Sequence, residues 1–233
     1  MQLIFIHGSG GCKESWTYQT RYFADSLALD LPGHPEGRLL PTVDDYVEWL
    51  KGVVKEKGFR RVVLVGHSLG GAIVLLYALK YPEDLAGIVT VGSGARLRVH
   101  PQFLEGLEKM LHDPQAENPL AGAYASVDPA LAQVLQQRMA ENGPAAALND
   151  LRACDRFDIM DRLSQISVPT LAIVGDQDVM TPPKYSLYLA EHLSRAKAVI
   201  IPGGTHMVMA EKPEEVNRAI AAFLKDLDGP TES

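Results

Sequence analysis

The chain has 233 residues, 46% hydrophobic and 22% charged, which is enough for one large domain with a full core. A formal net charge of -7, from 22 Lys and Arg against 29 Asp and Glu, argues against a nucleic-acid or anionic-membrane partner. Cys12 and Cys154 are too few for a disulfide framework and read as reduced thiols; no apolar run approaches the length of a membrane span, and no signal-type segment is visible, so a cytoplasmic protein is expected.

Short apolar runs alternate with amphipathic stretches, the pattern of a parallel sheet covered by helices on both faces. The first run, Leu3–Ile6, ends on His7-Gly8-Ser9-Gly10-Gly11, and Leu27–Leu29 follows. Val43, Tyr46, Val47, Leu50, Val53 and Val54 then recur at helical spacing between Val43 and Lys57. Val62–Val65 runs into Gly66-His67-Ser68-Leu69-Gly70-Gly71, and a small, apolar helix is expected from Ala72 to Tyr81, closed by Pro82. Ile88–Val91 is the next strand. From 96 to 166 the alternation stops, and helix-like pieces are separated by Pro114, Pro119, Pro129 and Pro144. This segment is read as an all-helical cap inserted in an α/β core formed by 1–95 and 167–233. Thr170–Val174 and Ala198–Ile201 complete the strands, and Glu214 to Leu227 is an amphipathic helix followed by a frayed end at 229–233.

The chemistry gathers where strands end. A serine on a sharp strand-to-helix turn exposes its hydroxyl at the sheet edge, and the helix behind it offers free N–H groups to a developing oxyanion. Ser68 has that position and is the candidate nucleophile. It needs a base, and the base needs an acid to hold its tautomer. Of seven histidines, His206 in Gly203-Gly204-Thr205-His206 follows the last strand, where a loop can return it to the serine. The acid is sought after Thr170–Val174, where Asp176 and Asp178 compete; Asp178 lies further into the loop, whereas Asp176 reads as a turn former. An oxyanion requires two backbone donors, and the N–H groups of Leu69 and Ser9 are the natural pair. The glycine-rich stretch after the first strand fits neither phosphate-loop spacing, and no metal-ligand spacing occurs, so neither cofactor nor metal is expected.

Together these residues resemble the α/β-hydrolase superfamily. The likeness runs from His7-Gly8 through Asp30-Leu31-Pro32-Gly33-His34, the Gly66–Gly71 turn, Val168-Pro169-Thr170 and Gly175-Asp176-Gln177-Asp178 to His206 and Glu211-Lys212-Pro213. It implies the catalytic order Ser68, Asp178, His206, with the acid as the second aspartate of its turn and Ser9 as the second oxyanion donor. The family usually has an antiparallel strand pair before the His-Gly strand. Six residues precede His7 here, so a sheet of about six mostly parallel strands is expected, with Leu27–Asp30 near an edge. Gly33-His34-Pro35 also departs from the second glycine and serine that many members carry there.

The reaction implied is hydrolysis of a small carboxylic ester through an acyl-enzyme. A lactonase, a carbon–carbon hydrolase acting on a diketone, or a hydrolase-like binding protein are the alternatives. Gly8, His67, Met207, Met110 and Tyr124 are expected to line the substrate site, beside a cap offering Phe103, Leu107, Leu111 and Met139. The partners expected are a small ester and water, with the chain a monomer or small homo-oligomer.

Overall fold

Strands β1 (Gln2–Ile6), β2 (Leu27–Leu29), β3 (Val62–His67), β4 (Leu85–Val91), β5 (Thr170–Gly175) and β6 (Ala196–Ile201) form one sheet in the order β2-β1-β3-β4-β5-β6. All five pairings are parallel. The structure is a computed structural model and describes residues 1–113 and 115–229. Pro114 and the end expected to fray beyond Gly229 lie outside the described residues.

The strands are wet on neither face at the centre. Every residue of β3 and β5 is buried. Alternate side chains feed two cores. Ile4, Ile6, Leu64 and Ile88 face helices α2 (Val43–Glu56), α3 (Leu69–Lys80) and α6 (Pro183–His192). Leu3, Phe5, Val65 and Val91 face the other side, with Trp16 and with Val216 and Ile220 of α8 (Pro213–Leu227). Helix α1 (Thr17–Tyr22) and the single turn α7 (Val208–Glu211) cover the same side. The Thr42 side chain caps α2, accepting the Asp45 N–H at 3.1 Å.

Three elements start two or three residues earlier than in the sequence reading. Helix α3 begins at Leu69, not Ala72. Its first turn looks like a loop because it contains Gly70 and Gly71, but a Cβ on Gly70 would stand 2.4 Å from Ile6 O, so packing, not flexibility, selects the glycine. Strand β4 begins at Leu85, not Ile88: Ala86 and Gly87 interrupt the apolar run, and the pairing with β3 continues across them with a shift of register between Val62 and Val63. Strand β6 begins at Ala196, and as an edge strand it tolerates Lys197 with its side chain in solvent.

Between β4 and β5 the described residues form helices and loops, with one isolated antiparallel bridge, Arg96 to Asp158. The helices are α4 (Pro101–Met110) and α5 (Pro129–Arg156), each with proline in its first turn. Helix α5 joins two of the expected pieces across a break at Gly143 (φ 75°, ψ 168°), followed by Pro144. Arg138 ties its first half to the α/β layer through Glu14 and Asp30 at 3.4 and 3.3 Å. No described helix is long and apolar enough to cross a membrane.

Candidate active site

Strand β3 ends on the turn that carries Ser68. The serine sits at φ 51°, ψ -112°, a strained conformation for a residue with a side chain. Its N–H donates to Val91 O at 3.0 Å, and its carbonyl accepts from Gly71 N–H at 2.9 Å and Ser93 Oγ at 2.8 Å. The surrounding structure therefore over-determines the turn. A Cβ on Gly66 would stand 2.0 Å from Gly70 O, so the strand and the helix can meet this closely only through glycine. Leu69, fully buried, follows as the first residue of α3.

The loops after β5 and β6 bring a carboxylate and an imidazole together. His206 Nδ1 donates to Asp178 Oδ2 at 2.8 Å. Asp178 is buried, and its other oxygen accepts the Met180 and Thr181 N–H groups, both at 2.9 Å, while Thr181 Oγ1 donates to Oδ2 at 2.8 Å. Burial pushes the Asp178 carboxyl up, but His206 and the Thr181 donors outweigh it and hold it below the ordinary carboxylate range. The carboxyl of Asp178 is thus ionised, and beside it a neutral imidazole carries its proton on Nδ1 with Nε2 left to accept. Asp176 remains exposed and accepts the Gly203 N–H at 2.7 Å, bracing one loop against the other.

Ser68 and His206 line one cavity of about 260 Å³. Leu97, Val99, Phe103, Leu151 and Tyr185 give it an apolar wall, with Arg98 and His100 also on its lining. A second recess of about 50 Å³ lies on the other side of the same pair, lined by Gly8, Ser9, His67, Tyr124, Met139 and Met207 among others. Of the residues expected to meet substrate, Gly8, His67, Tyr124 and Met207 therefore share this recess with Ser68. Met110 does not: it lines a different cavity of about 390 Å³ between α4 and α5, where Tyr124 and Met139 form a shared wall. Leu107 lies there too, and Leu111 is exposed.

His67 has a positioning contact as well. Its Nε2–H donates to His206 O at 2.9 Å, and burial with the neighbouring His206 brings its pKa down to about 3, so it stays neutral. His7 is neutral for similar reasons: Nδ1–H donates to Gly8 O at 2.8 Å while Nε2 accepts the Leu31 N–H at 3.0 Å. Burial and the charge of His34 bring it down to about 4.

Sequence reasoning passed over four residues that shape this geometry. Thr181 braces the carboxylate. Gly92 (φ 53°) ends β4 where a Cβ would stand 3.1 Å from Asp178 Oδ2 and 3.3 Å from His206 Nδ1. Glu211 accepts the Thr205 N–H at 2.6 Å and fixes the loop that presents His206. His100, exposed, caps α4 and lines the cavity of about 260 Å³ that Ser68 and His206 share. Thr181, three positions from Asp178, and Glu211, in the Glu211-Lys212-Pro213 stretch of the resemblance, left a trace in the sequence but were given no role. Both cysteines are free and buried, and burial pushes each thiol up to about 12, far from a reactive thiolate. Among the described residues no group of three or more His, Cys, Asp or Glu is placed to hold a metal.

The sequence model of the alpha/beta hydrolase family matches residues 3–219, and the chain belongs to that family. It is similar to protein ABHD8 of Homo sapiens, 28% identical over 239 residues, covering 95% of this chain and 54% of that protein. The chain thus spans about half the length of that relative. The (E)-2-((N-methylformamido)methylene)succinate hydrolase of Acinetobacter baylyi is 27% identical over 241 residues, covering 96% of this chain and 90% of that enzyme. Among solved structures, a thermophilic esterase superposes with a TM-score of 0.81 at 33% identity, covering 97% of this chain and 90% of that one.

Proposed function

We propose that the protein is a serine hydrolase that cleaves a small carboxylic ester through an acyl-enzyme, with Ser68 as nucleophile, His206 as base and Asp178 as the acid that holds it. The reading is carried by the 2.8 Å bond from His206 Nδ1 to a buried, ionised Asp178, beside a cavity that the two imidazole-side loops share with a strained Ser68. Its likeness to a thermophilic esterase at 33% identity supports the same choice of bond.

Ser68 Oγ attacks the ester carbonyl while His206 Nε2 takes the hydroxyl proton. The carbonyl oxygen becomes an oxyanion facing the N–H groups of Ser9 and Leu69. Collapse of the tetrahedral intermediate breaks the bond to the alcohol oxygen, which receives the proton from His206. Water then adds to the acyl carbon, giving a proton to His206, and the acid leaves as Ser68 regains its own. Asp178 remains a carboxylate and stabilises the imidazolium in both halves. The helical segment 96–166 serves as the cap, since Phe103 and Leu151 come from its helices and wall the cavity. At about 260 Å³ the cavity lies just below the roughly 300–1,000 Å³ of drug-sized ligand sites, which favours a short acyl or alcohol group.

The test is turnover of p-nitrophenyl esters across a chain-length series by the wild type and Ser68→Ala. Release of p-nitrophenol from short esters, lost in the variant, is the expected result. Turnover of a vinylogous diketone with no ester cleavage would replace this reading with carbon–carbon hydrolysis.

A further inference from the structure

The loop that carries Ser9 is gripped by the helical segment, not by the sheet. Its turn is closed by Gly11 N–H donating to Gly8 O at 3.0 Å. Helix α5 then holds it by opposite polarities on either side of the break at Gly143. Asp150 Oδ2 accepts the Gly10 N–H at 2.9 Å. Asn142 Nδ2 donates to the carbonyls of Gly10 and Gly11 at 3.1 and 2.7 Å. A Cβ on Gly10 would stand 2.9 Å from Ala147 Cβ, so the loop rests on the helix between these two grips.

Asp150 is fully buried, and each of its oxygens has donors. His34 Nε2 lies 2.9 Å from Oδ2, and Tyr46 OH donates to Oδ1 at 2.7 Å. His34 Nδ1 faces Leu31 O at 3.2 Å, so both ring nitrogens meet acceptors, as an imidazolium requires. Burial lowers the His34 pKa, but the Asp150 bond and charge outweigh it and raise it. An ion pair that merely docks α5 on the core explains His34 and Tyr46. It does not explain why the same carboxylate turns to the Gly10 N–H. Nor does it explain Asn142, whose Oδ1 is buried without a partner among the described residues while Nδ2 serves two loop carbonyls.

We propose that Asp150 and Asn142 are positioning residues that fix the peptide planes of the Gly8–Gly11 turn, and so aim the Ser9 N–H at the forming oxyanion. The kinetic part of this inference rests on the serine-hydrolase reading above. A donor held in place before the reaction stabilises developing charge far better than one that must reorient, and a glycine-rich turn has little stiffness of its own.

The experiment compares Asp150→Ala, Asp150→Asn, Asn142→Ala and Tyr46→Phe. Two quantities are read: steady-state hydrolysis of p-nitrophenyl acetate and amide hydrogen exchange of the 8–11 segment. Asp150→Ala and Asn142→Ala are expected to speed exchange of that segment. Each lowers kcat about 10- to 100-fold, with KM nearly unchanged. Asp150→Asn is expected to recover most of kcat, because its carbonyl still accepts from Gly10 while its amide donates to the Tyr46 hydroxyl. Tyr46→Phe touches only the far oxygen; it lowers Tm and leaves kcat and exchange alone. The proposal is overturned if both alanine variants lose Tm with kcat and loop exchange unchanged, or if Tyr46→Phe matches their loss of kcat. Should Asp150→Ala fail to fold, Asn142→Ala and Asp150→Asn carry the same decision. Exchange is read without turnover, so absence of Ser68-dependent activity would remove the hydrolase reading while the loop claim is still decided.

Discussion

The two sides of the site are built by different layers of the fold. Asp178 and His206 stand on loops after β5 and β6, and their hydrogen bonds come from Met180, Thr181 and, at the end of β3, His67. The Gly8–Gly11 turn leaves β1, yet its polar contacts to other elements come from α5, in the helical segment between β4 and β5. The Asp178–His206 side therefore hangs on loops at the sheet edge, while the Ser9 side depends on how that segment is seated. Substitutions on the first side should act on chemistry at once, and those on the second should act through geometry.

The sharpest way to test this division is Asp178→Asn. The amide reverses the polarity facing His206 Nδ1 and forces the wrong tautomer, so kcat is expected to fall about 10,000-fold with the fold intact, read by p-nitrophenyl acetate kinetics beside a melting curve. A milder change on the same side is Gly92→Ala. Its methyl group meets Asp178 Oδ2 at 3.1 Å on backbone at φ 53°, costing about 1–3 kcal/mol and lowering Tm and kcat together. Unaltered Tm would show that β4 yields where the geometry says it cannot. Thr181→Val keeps shape and deletes the 2.8 Å bond to Asp178; a loss of about 1 kcal/mol and a several-fold drop in kcat are expected.

A separate effect is expected from pH. His7 and His67 are held neutral at pKa values of about 4 and about 3, against 6.5 in the unfolded chain. Below 6.5 the unfolded state binds protons that the native state refuses, so stability falls as pH falls through this window. The lowered carboxyl of Asp178 acts in the same direction at the acid end. His34, with its raised pKa, acts oppositely and loses its contribution as pH rises. Tm should decline on going from neutral pH towards pH 4, and His67→Asn should flatten part of the slope. A flat Tm across that range would contradict the burial of both rings as neutral species.

Much of this architecture was legible in the residues because strand ends announce themselves. An apolar run that stops on Gly66, Gly175 or His7 marks a buried strand meeting a loop, and six such runs gave the six parallel strands. The edge position of Leu27–Leu29 came instead from the family resemblance, whose usual antiparallel strand pair would otherwise lie beyond it. What stayed hidden was set by contacts distant in sequence. Gly92 matters because the pair formed by Asp178 and His206 crosses it, and nothing in its neighbourhood says so. Met110 looked like a wall of the site because helical periodicity identifies a buried face without saying which of two neighbouring cavities it adjoins. Asp150 was invisible for a related reason: its partners are Gly10, His34 and Tyr46, all more than 100 positions earlier.

The sheet's two margins have unequal consequences for solution behaviour. Strand β2 is three residues long, too short a template for another chain to pair with. Strand β6 is six residues long, with Ile200 exposed, and its guard is Lys197, whose ammonium stands in solvent and meets Asp226 at 3.0 Å. Lys197 is the one charged residue within that strand, so its removal is expected to favour edge-to-edge pairing. In Lys197→Val, light scattering should rise with concentration while ester turnover per folded molecule stays the same.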